Sequence, residues 1–374
     1  MALVELGSIL HFEKGKKPIL QSDSPDDGFL PYVDIEAFET GKIKQYTDGT
    51  KCTPCDDGDI LIVCDGSRSG LVGRAVKGYV GSTLAKISAD CLSNQYLFRF
   101  VQGKYALLNT KKKGTGTPHL NQELLKQQKL IVPSYSEQER IVARIEELFS
   151  QLDAGVETLK KTKAQLAVYR QAVLKEAFEK VSARVLLGSI SESRLGKMLD
   201  SEKNIGVPRR YLRNINVRWH SFDLSDLSEI PIEENEVDKY SLRKGDLVIC
   251  EGGEPGRCAV WDSDDVIFYQ KALHRVRFTD SSNPKFYMYY LWYAAQTGQL
   301  KSLFTGTGIK HLTGQSLVKV LVPTAERITQ DSIVNEIETH LSVCDSIEQT
   351  VDIALQQAEA MRQSILKDAF EGRL

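Results

Sequence analysis

The stretch Val132–Lys180 constrains this chain more than any other. After Pro133 it contains no proline and a single glycine, Gly155. Ile145, Leu152, Leu159, Leu166 and Val173 recur at seven-residue steps, and Ile141, Leu148 and Tyr169 form a second row, interrupted at Gly155 and Thr162. Seven-residue spacing puts both rows on one helical face, so the segment reads as a long helix that needs a partner helix. At about 1.5 Å per residue, about 45 residues make a rod of roughly 65 Å, longer than a compact domain requires.

The partner lies further along the chain. An offset of 192 carries the first row onto Ile337, Cys344, Val351, Ala358 and Ile365, and the second onto Ile333, His340 and Met361, with Ile347 opposite Gly155. The same offset carries Gln138 to Gln330, Asp153 to Asp345, Arg170 to Arg362 and Ala177-Phe178-Glu179 to Ala369-Phe370-Glu371. A repeat of this length is a duplicated domain with its helix, not a short solenoid unit.

The 374 residues leave room for two to three domains. No apolar run reaches the roughly 20 residues that span a bilayer. The start, MALVELGSILHF, lacks a secretory signal's basic end and long apolar core, and seven scattered cysteines suit reduced thiols, so a cytoplasmic protein is expected. The formal charge of −2 hides a segregation, because residues 326–374 carry 4 basic against 10 acidic side chains. Residues 1–135 carry 17 against 15 and residues 182–325 carry 19 against 17. Mildly basic globular segments permit nucleic-acid binding without demanding it.

Both globular segments show short β-like runs between turn signals, such as Gly58–Cys64 and Gln95–Val101, punctuated by Asp27-Gly28, Asp57-Gly58 and Asp65-Gly66. The second repeats the first with drifted lengths. Val4–Ile9 recurs as Val185–Ile190, and Gly58–Ile62 as Gly245–Ile249, with cysteine, an acid and glycine following in each, after an intervening Val63 in the first. Gly114-Thr-Gly-Thr-Pro-His-Leu120 recurs as Gly306-Thr-Gly-Ile-Lys-His-Leu312. Candidate contacts fall in loops that align poorly. Lys14, Lys16 and Lys17 form an early basic loop, and Lys111, Lys112 and Lys113 precede the first Gly-Thr-Gly; each set reads as phosphate contacts or as a solvated loop. Ser67 and Arg68, and Arg209, Arg210, Tyr211 and Arg213, are read as DNA contacts, because arginine suits bidentate recognition of guanine. Gln95 with Gln270, and His119 with His311, are read as matched structural residues.

Other signals carry no chemistry. Cys52-Thr-Pro-Cys55 is a lone pair without the further ligands that zinc needs, Asp56, Asp57, Asp59 and Asp65 are turn acids, and the Gly-Thr-Gly segments lack the Gly-Lys-Ser/Thr of a phosphate loop. No nucleophile elbow, amino-methyltransferase segment or nuclease core is present.

The chain resembles the specificity subunit of type I restriction-modification enzymes over essentially its full length. Val132-Pro133 followed by Ser136-Glu-Gln-Glu-Arg-Ile-Val142, the helix ends Leu174–Phe178 and Leu366–Leu374, and the two Gly-Thr-Gly-x-x-His-Leu segments carry the likeness; Val322–Gln330 departs from the first copy's Glu-Gln-x-Arg order. The resemblance implies an α+β fold: target-recognition domains at 1–135 and 182–325, and spacer helices at 136–181 and 326–374 pairing as an antiparallel coiled coil, with an internal pseudo-twofold repeat. It also implies a non-catalytic subunit that reads a bipartite asymmetric site in double-stranded DNA. Two methyltransferase subunits and motor-nuclease restriction subunits would bind it, and S-adenosylmethionine, ATP and Mg2+ would belong to those partners. A non-catalytic coiled-coil adaptor whose globular halves bind protein is the other reading the residues allow.

Overall fold

The computed structural model describes residues 2–25, 28–114, 118–200 and 204–374. Asp27, and Thr115 to Thr117 of the first Gly-Thr-Gly segment, lie outside them. The chain divides into two compact units, Met1–Lys160 with Asp352–Leu374, and Lys161–Val351. Each is mixed α/β and takes part of both long helices, Tyr135–Glu179 and Arg327–Phe370.

In the first unit, strand Ala2–Glu5 pairs antiparallel with Lys129–Val132. A four-stranded sheet follows the order His11–Lys14, Leu84–Ser88, Ile60–Val63, Val72–Arg74, and a smaller one the order Tyr46–Thr47, Leu30–Val33, Gly78–Val80, Pro54–Cys55. Ile60 to Val63 are apolar without alternation because both faces of that strand are covered, and none of the four is exposed. Its two-residue period sends Ile60 and Ile62 into the cluster with Leu97 and Phe100, and Leu61 and Val63 into the cluster with Val33 and Val80.

The second unit has a ribbon of Arg184–Leu186 with Leu321–Pro323. Its main sheet runs Ser191–Leu195, Leu273–Phe278, Leu247–Cys250, Cys258–Val260, and its smaller sheet Ser228–Ile232, Val207–Leu212, Phe268–Tyr269. Leu247 and Ile249 face one cluster, Val248 and Cys250 another. The register corrects one sequence reading. Ile60 lies opposite Ile87 as Leu247 lies opposite Val276, but Val63 opposite Leu84 matches Cys250 opposite Leu273. Cys64 therefore corresponds to Glu251 and Asp65 to Gly252, so the two cysteines are not equivalent. Gln95 and Gln270 are not equivalent either: Gln95 lies on helix Asn94–Gly103, whereas Gln270 follows strand Phe268–Tyr269.

The long helices begin 192 residues apart, at Tyr135 and Arg327, although the sequence before the second lacks the Glu-Gln-x-Arg order. In the first unit Ile145 and Phe149 cluster with Leu366 and Ala369, and Arg362 pairs with Asp153. In the second, Val173, Leu174, Ala177 and Phe178 share a core with Ile333, Val334, Ile337 and Leu341. There Arg170 reaches Asp345 and Glu348, each at 2.7 Å. The first heptad row is buried or half-buried throughout, but Val142 and Phe149 are more buried than Ile141 and Leu148, while Tyr169 and Met361 are exposed. An α-helix drifts by about 20° per heptad against a strict seven-residue repeat, which walks the buried stripe sideways.

Gly155 faces a cavity of about 240 Å3 lined by Leu152, Ala354, Ala358 and Met361, and a methyl group there would meet no atom within 4 Å. Alanine at a mid-helix glycine restricts the unfolded backbone at no steric cost here. Gly155→Ala is expected to raise stability by about 0.5–1 kcal/mol, read as a higher denaturation midpoint of the full chain; an unchanged or lower midpoint would contradict the open notch.

Candidate nucleic-acid interface

In the first unit two loops and a strand end converge. Strand Ile60–Val63 runs into Asp65–Gly70, and Lys113 and His119 close a hairpin over it, exchanging N–H···O bonds of 2.9 and 2.8 Å. Leu120 N donates to Cys64 O at 2.7 Å and Gly66 N to Pro118 O at 2.8 Å. Gly70 has φ +94°, and a side chain there would strike Leu108 Cβ at 2.7 Å, so glycine alone turns the loop at that point. Asn109 Nδ2 donates to Ser67 O at 2.8 Å and Lys112 Nζ to the same oxygen at 2.9 Å, which leaves Ser67 and Arg68 at an exposed tip where Arg68 pairs with Glu39.

Lys14 ends strand His11–Lys14 and reaches Asp65 Oδ2 at 2.6 Å, while His119 Nδ1 lies 2.7 Å from Asp65 Oδ1. Burial would raise the Asp65 pKa, but hydrogen bonds from Lys14 and His119 outweigh it and hold the carboxyl below its usual range. Lys14, Ser67, Arg68, Lys112 and Lys113 thus come together. Lys16 and Lys17 follow Gly15 on the exposed surface, and Lys111 is exposed just before the hairpin.

The second unit builds the matching place from other residues. Thr305 and His311 close the hairpin with two bonds of 2.9 Å, and Leu312 N donates to Glu251 O at 2.7 Å. Arg213 Nη2 donates to Asp226 Oδ2 at 2.7 Å and Asn214 Nδ2 to Gly252 O at 3.0 Å. Arg257 bridges Glu254 Oε2 at 2.9 Å and Asn214 O at 3.0 Å, Trp219 Nε1 donates to Glu254 Oε1 at 2.7 Å, and Lys310 Nζ caps Gly306 O at 2.8 Å. Arg209 and Arg210 lie back along strand Val207–Leu212, opposite Ile230 and Glu229. Tyr211 is buried with Ile230, Ile232 and Phe268 and packs beneath the strand. Sequence reasoning gave Asp65 only a turn role and passed over Asn214, Arg257 and Lys310. Lys310 could have been found from its place inside the repeated Gly-Thr-Gly-x-x-His-Leu segment; Arg257 carried no signal, because its loop does not align. Cys52 Sγ and Cys55 Sγ lie 3.8 and 3.5 Å from the carbonyls of Thr50 and Val76. Among the described residues no His, Cys, Asp and Glu group is arranged to hold a metal, and no helix is long and apolar enough to cross a membrane.

The profile of the type I restriction modification DNA specificity domain matches residues 1–167. The specificity subunit of the type I restriction enzyme MjaVIII from Methanocaldococcus jannaschii is 23% identical over 390 residues, covering 97% of this chain and 89% of that one. The chain is similar to type I specificity subunits, through the domain match over its first 167 residues and through this relative over nearly its full length. A solved chain from work on complex assembly and conformational transition of the type I R-M system covers 100% of this chain and 98% of its own length, with a TM-score of 0.78 and 18% identity. The HsdS subunit from Thermoanaerobacter tengcongensis gives a TM-score of 0.59 at 19% identity, covering 100% of this chain and 97% of its own. At these identities the likeness to the solved chains is one of fold.

Beside Trp219, the chain holds His220 at φ +64°, its ring centroid 4.3 Å from that of Trp292 and 5.1 Å from that of Tyr289. Burial lowers its pKa from 6.5 to about 4, with Asp345 pulling weakly the other way. The ring is neutral in both states above pH 6.5. On acidification the unfolded chain takes up a proton that the folded ring refuses until about pH 4, so stability falls across that window by up to about 3 kcal/mol. Asparagine tolerates the left-handed backbone and does not titrate. His220→Asn is therefore expected to flatten this part of the stability-versus-pH curve, and an unaltered slope would refute the assignment.

Proposed function

We propose that this chain reads DNA for a type I complex whose partner subunits carry out the chemistry. Each loop network reads one half of a bipartite asymmetric site, with residues 1–135 and 182–325 as target-recognition domains. Residues 136–181 and 326–374 pair as an antiparallel coiled coil with an internal pseudo-twofold repeat, and they set the unread spacer. Two methyltransferase subunits and motor-nuclease subunits bind this chain in the cytoplasm, and S-adenosylmethionine, ATP and Mg2+ are used by them. Lys14, Lys16, Lys17 and Lys111 to Lys113 approach phosphates. Ser67, Arg68, Arg209, Arg210 and Arg213 supply donors toward base edges, and Tyr211 supports its strand from beneath.

The observation that carries this reading is the recurrence of one construction at one register. In each unit a hairpin leucine N–H docks on the residue after the central strand, at 2.7 Å, beside a loop that gathers cations. Two major-groove faces about 34–36 Å apart are one helical turn of DNA, the natural spacing for two readers joined by a stiff rod.

Co-expression with the methyltransferase partner and mapping of methylated adenines tests the proposal. A split motif with a fixed gap, lost on deletion of either recognition domain, is expected; no methylation and no partner would favour the protein-binding adaptor. Removing one heptad from each long helix is expected to change the gap and leave both half-sites intact. Altered half-site bases at a constant gap would defeat the spacer role. Lys111→Ala is expected to weaken binding to all duplexes alike and to reduce the slope of log affinity against log salt by about one, without changing base preference.

A further inference from the structure

The Lys14–Asp65–His119 cluster exceeds what its loop closure requires. The second unit closes the same hairpin through Thr305 and His311, with Leu312 N on Glu251 O, yet has Gly252 in the place of Asp65. Leu195, opposite His274, stands where Lys14 stands opposite Ala85. A methyl group at Gly252 would lie 2.9 Å from His311 Nδ1, so that ring settles against bare backbone. The hairpin therefore forms without a carboxylate, and a fixed set of chargeable side chains on an exposed loop of the first unit needs another reason.

The chemistry of the pair supplies one. An ionised carboxylate only accepts hydrogen bonds, so His119 Nδ1, 2.7 Å from Asp65 Oδ1, carries the proton of that bond. Nε2 is left for other partners, on a side chain that is 54% exposed. It accepts in the neutral ring and donates in the protonated one. Ser67, Arg68, Lys112 and Lys113 lie in the loops joined to the same hairpin.

We infer that His119 Nε2 contacts DNA in the half-site read by the first unit, with Asp65 as the positioning residue that fixes the ring's tautomer and orientation and is itself held by Lys14. The inference rests on the DNA-reading role proposed above and adds a specificity residue to that unit alone.

Two substitutions separate contact from scaffold. An asparagine amide falls near the imidazole Nδ1 and keeps the Asp65 bond but has no atom at Nε2; a glutamine amide reaches the Nε2 position and gives up the Asp65 bond. The full chain with its methyltransferase partner is measured by fluorescence anisotropy against duplexes with both half-sites intact or either one scrambled, alongside thermal melting. His119→Asn is expected to melt as the wild type, to lose about 5- to 30-fold affinity for duplexes with an intact first half-site, and to keep full discrimination at the second. His119→Gln is expected to recover part of the lost discrimination. If His119→Asn melts below the wild type, the glutamine variant decides: restored discrimination supports the contact and none overturns it. An asparagine variant that binds every duplex as the wild type does, or loses discrimination equally at both half-sites, also overturns it. A wild-type complex that discriminates neither half-site overturns the DNA-reading role and this inference together, whereas discrimination by the wild type matched by His119→Asn overturns this inference alone.

Discussion

Each unit depends on one buried carboxamide at the root of a long helix. Gln138 is fully buried; its Oε1 accepts from Ser93 N at 2.7 Å and its Nε2 donates to Cys91 O at 3.0 Å and Pro133 O at 3.1 Å. Gln330, 2% exposed, accepts from Asn283 N at 2.7 Å and donates to Ala325 O at 2.9 Å. Ser93 and Asn283 are also the N-caps of the helices that pack on each sheet. The glutamine thus ties the end of the ribbon, the start of the packing helix and the first turn of the long helix into one joint. A buried amide that loses its partners costs about 1–3 kcal/mol, which keeps the joint closed. The stakes are geometric, because an angular error at the root of a 45-residue helix grows along its length.

Beyond that joint the units share a frame and differ in their fastenings. In the first, a ladder runs from Arg74 over Phe98 at 4.3 Å, through Arg99 over Phe98 at 5.5 Å and over Phe149 at 5.1 Å, to Arg362 over Phe149 at 4.6 Å. It joins the sheet to both long helices within that unit, with Glu146 3.7 Å from Arg99. In the second, Glu338 instead faces Lys285 at 2.8 Å and Tyr289 at 3.4 Å, and Leu341 stands where Phe149 would. Cation–π ladders and packed tyrosines serve the same end by different means, which explains why the repeat is plain in the helices and faint elsewhere.

That difference marks what the sequence could disclose. The heptad rows, Gln138 with Gln330 and Arg170 with Arg362 were legible because a rod admits no insertions and a fixed offset survives. The central strands were legible as unbroken apolar runs, since both of their faces are covered. The register after them was not: Val63 is one residue more than the second copy seemed to allow, and only the pairing of Val63 with Leu84 and of Cys250 with Leu273 resolves it. The basic loops were found as isolated charges, and their convergence was hidden because it depends on backbone closures such as Leu120 on Cys64. Tyr211 looked like a loop residue because its strand reads as Arg-rich and polar, and its burial follows from alternation within Val207–Leu212.

Four of the gathered cations already have an acid. Lys14 lies on Asp65, Arg68 on Glu39, Arg213 on Asp226 and Arg257 on Glu254. Pairs of this kind at a surface are individually weak, so a phosphate or base edge can displace the acid at small cost. In the proposed role that exchange is selective. A protein with bare lysines binds any duplex through released counterions, whereas one whose cations are neutralised gains little from a phosphate alone. Affinity then depends on contacts that only the correct bases complete. A net charge of −2 is what such a reader can carry, since its cations need to be placed rather than numerous.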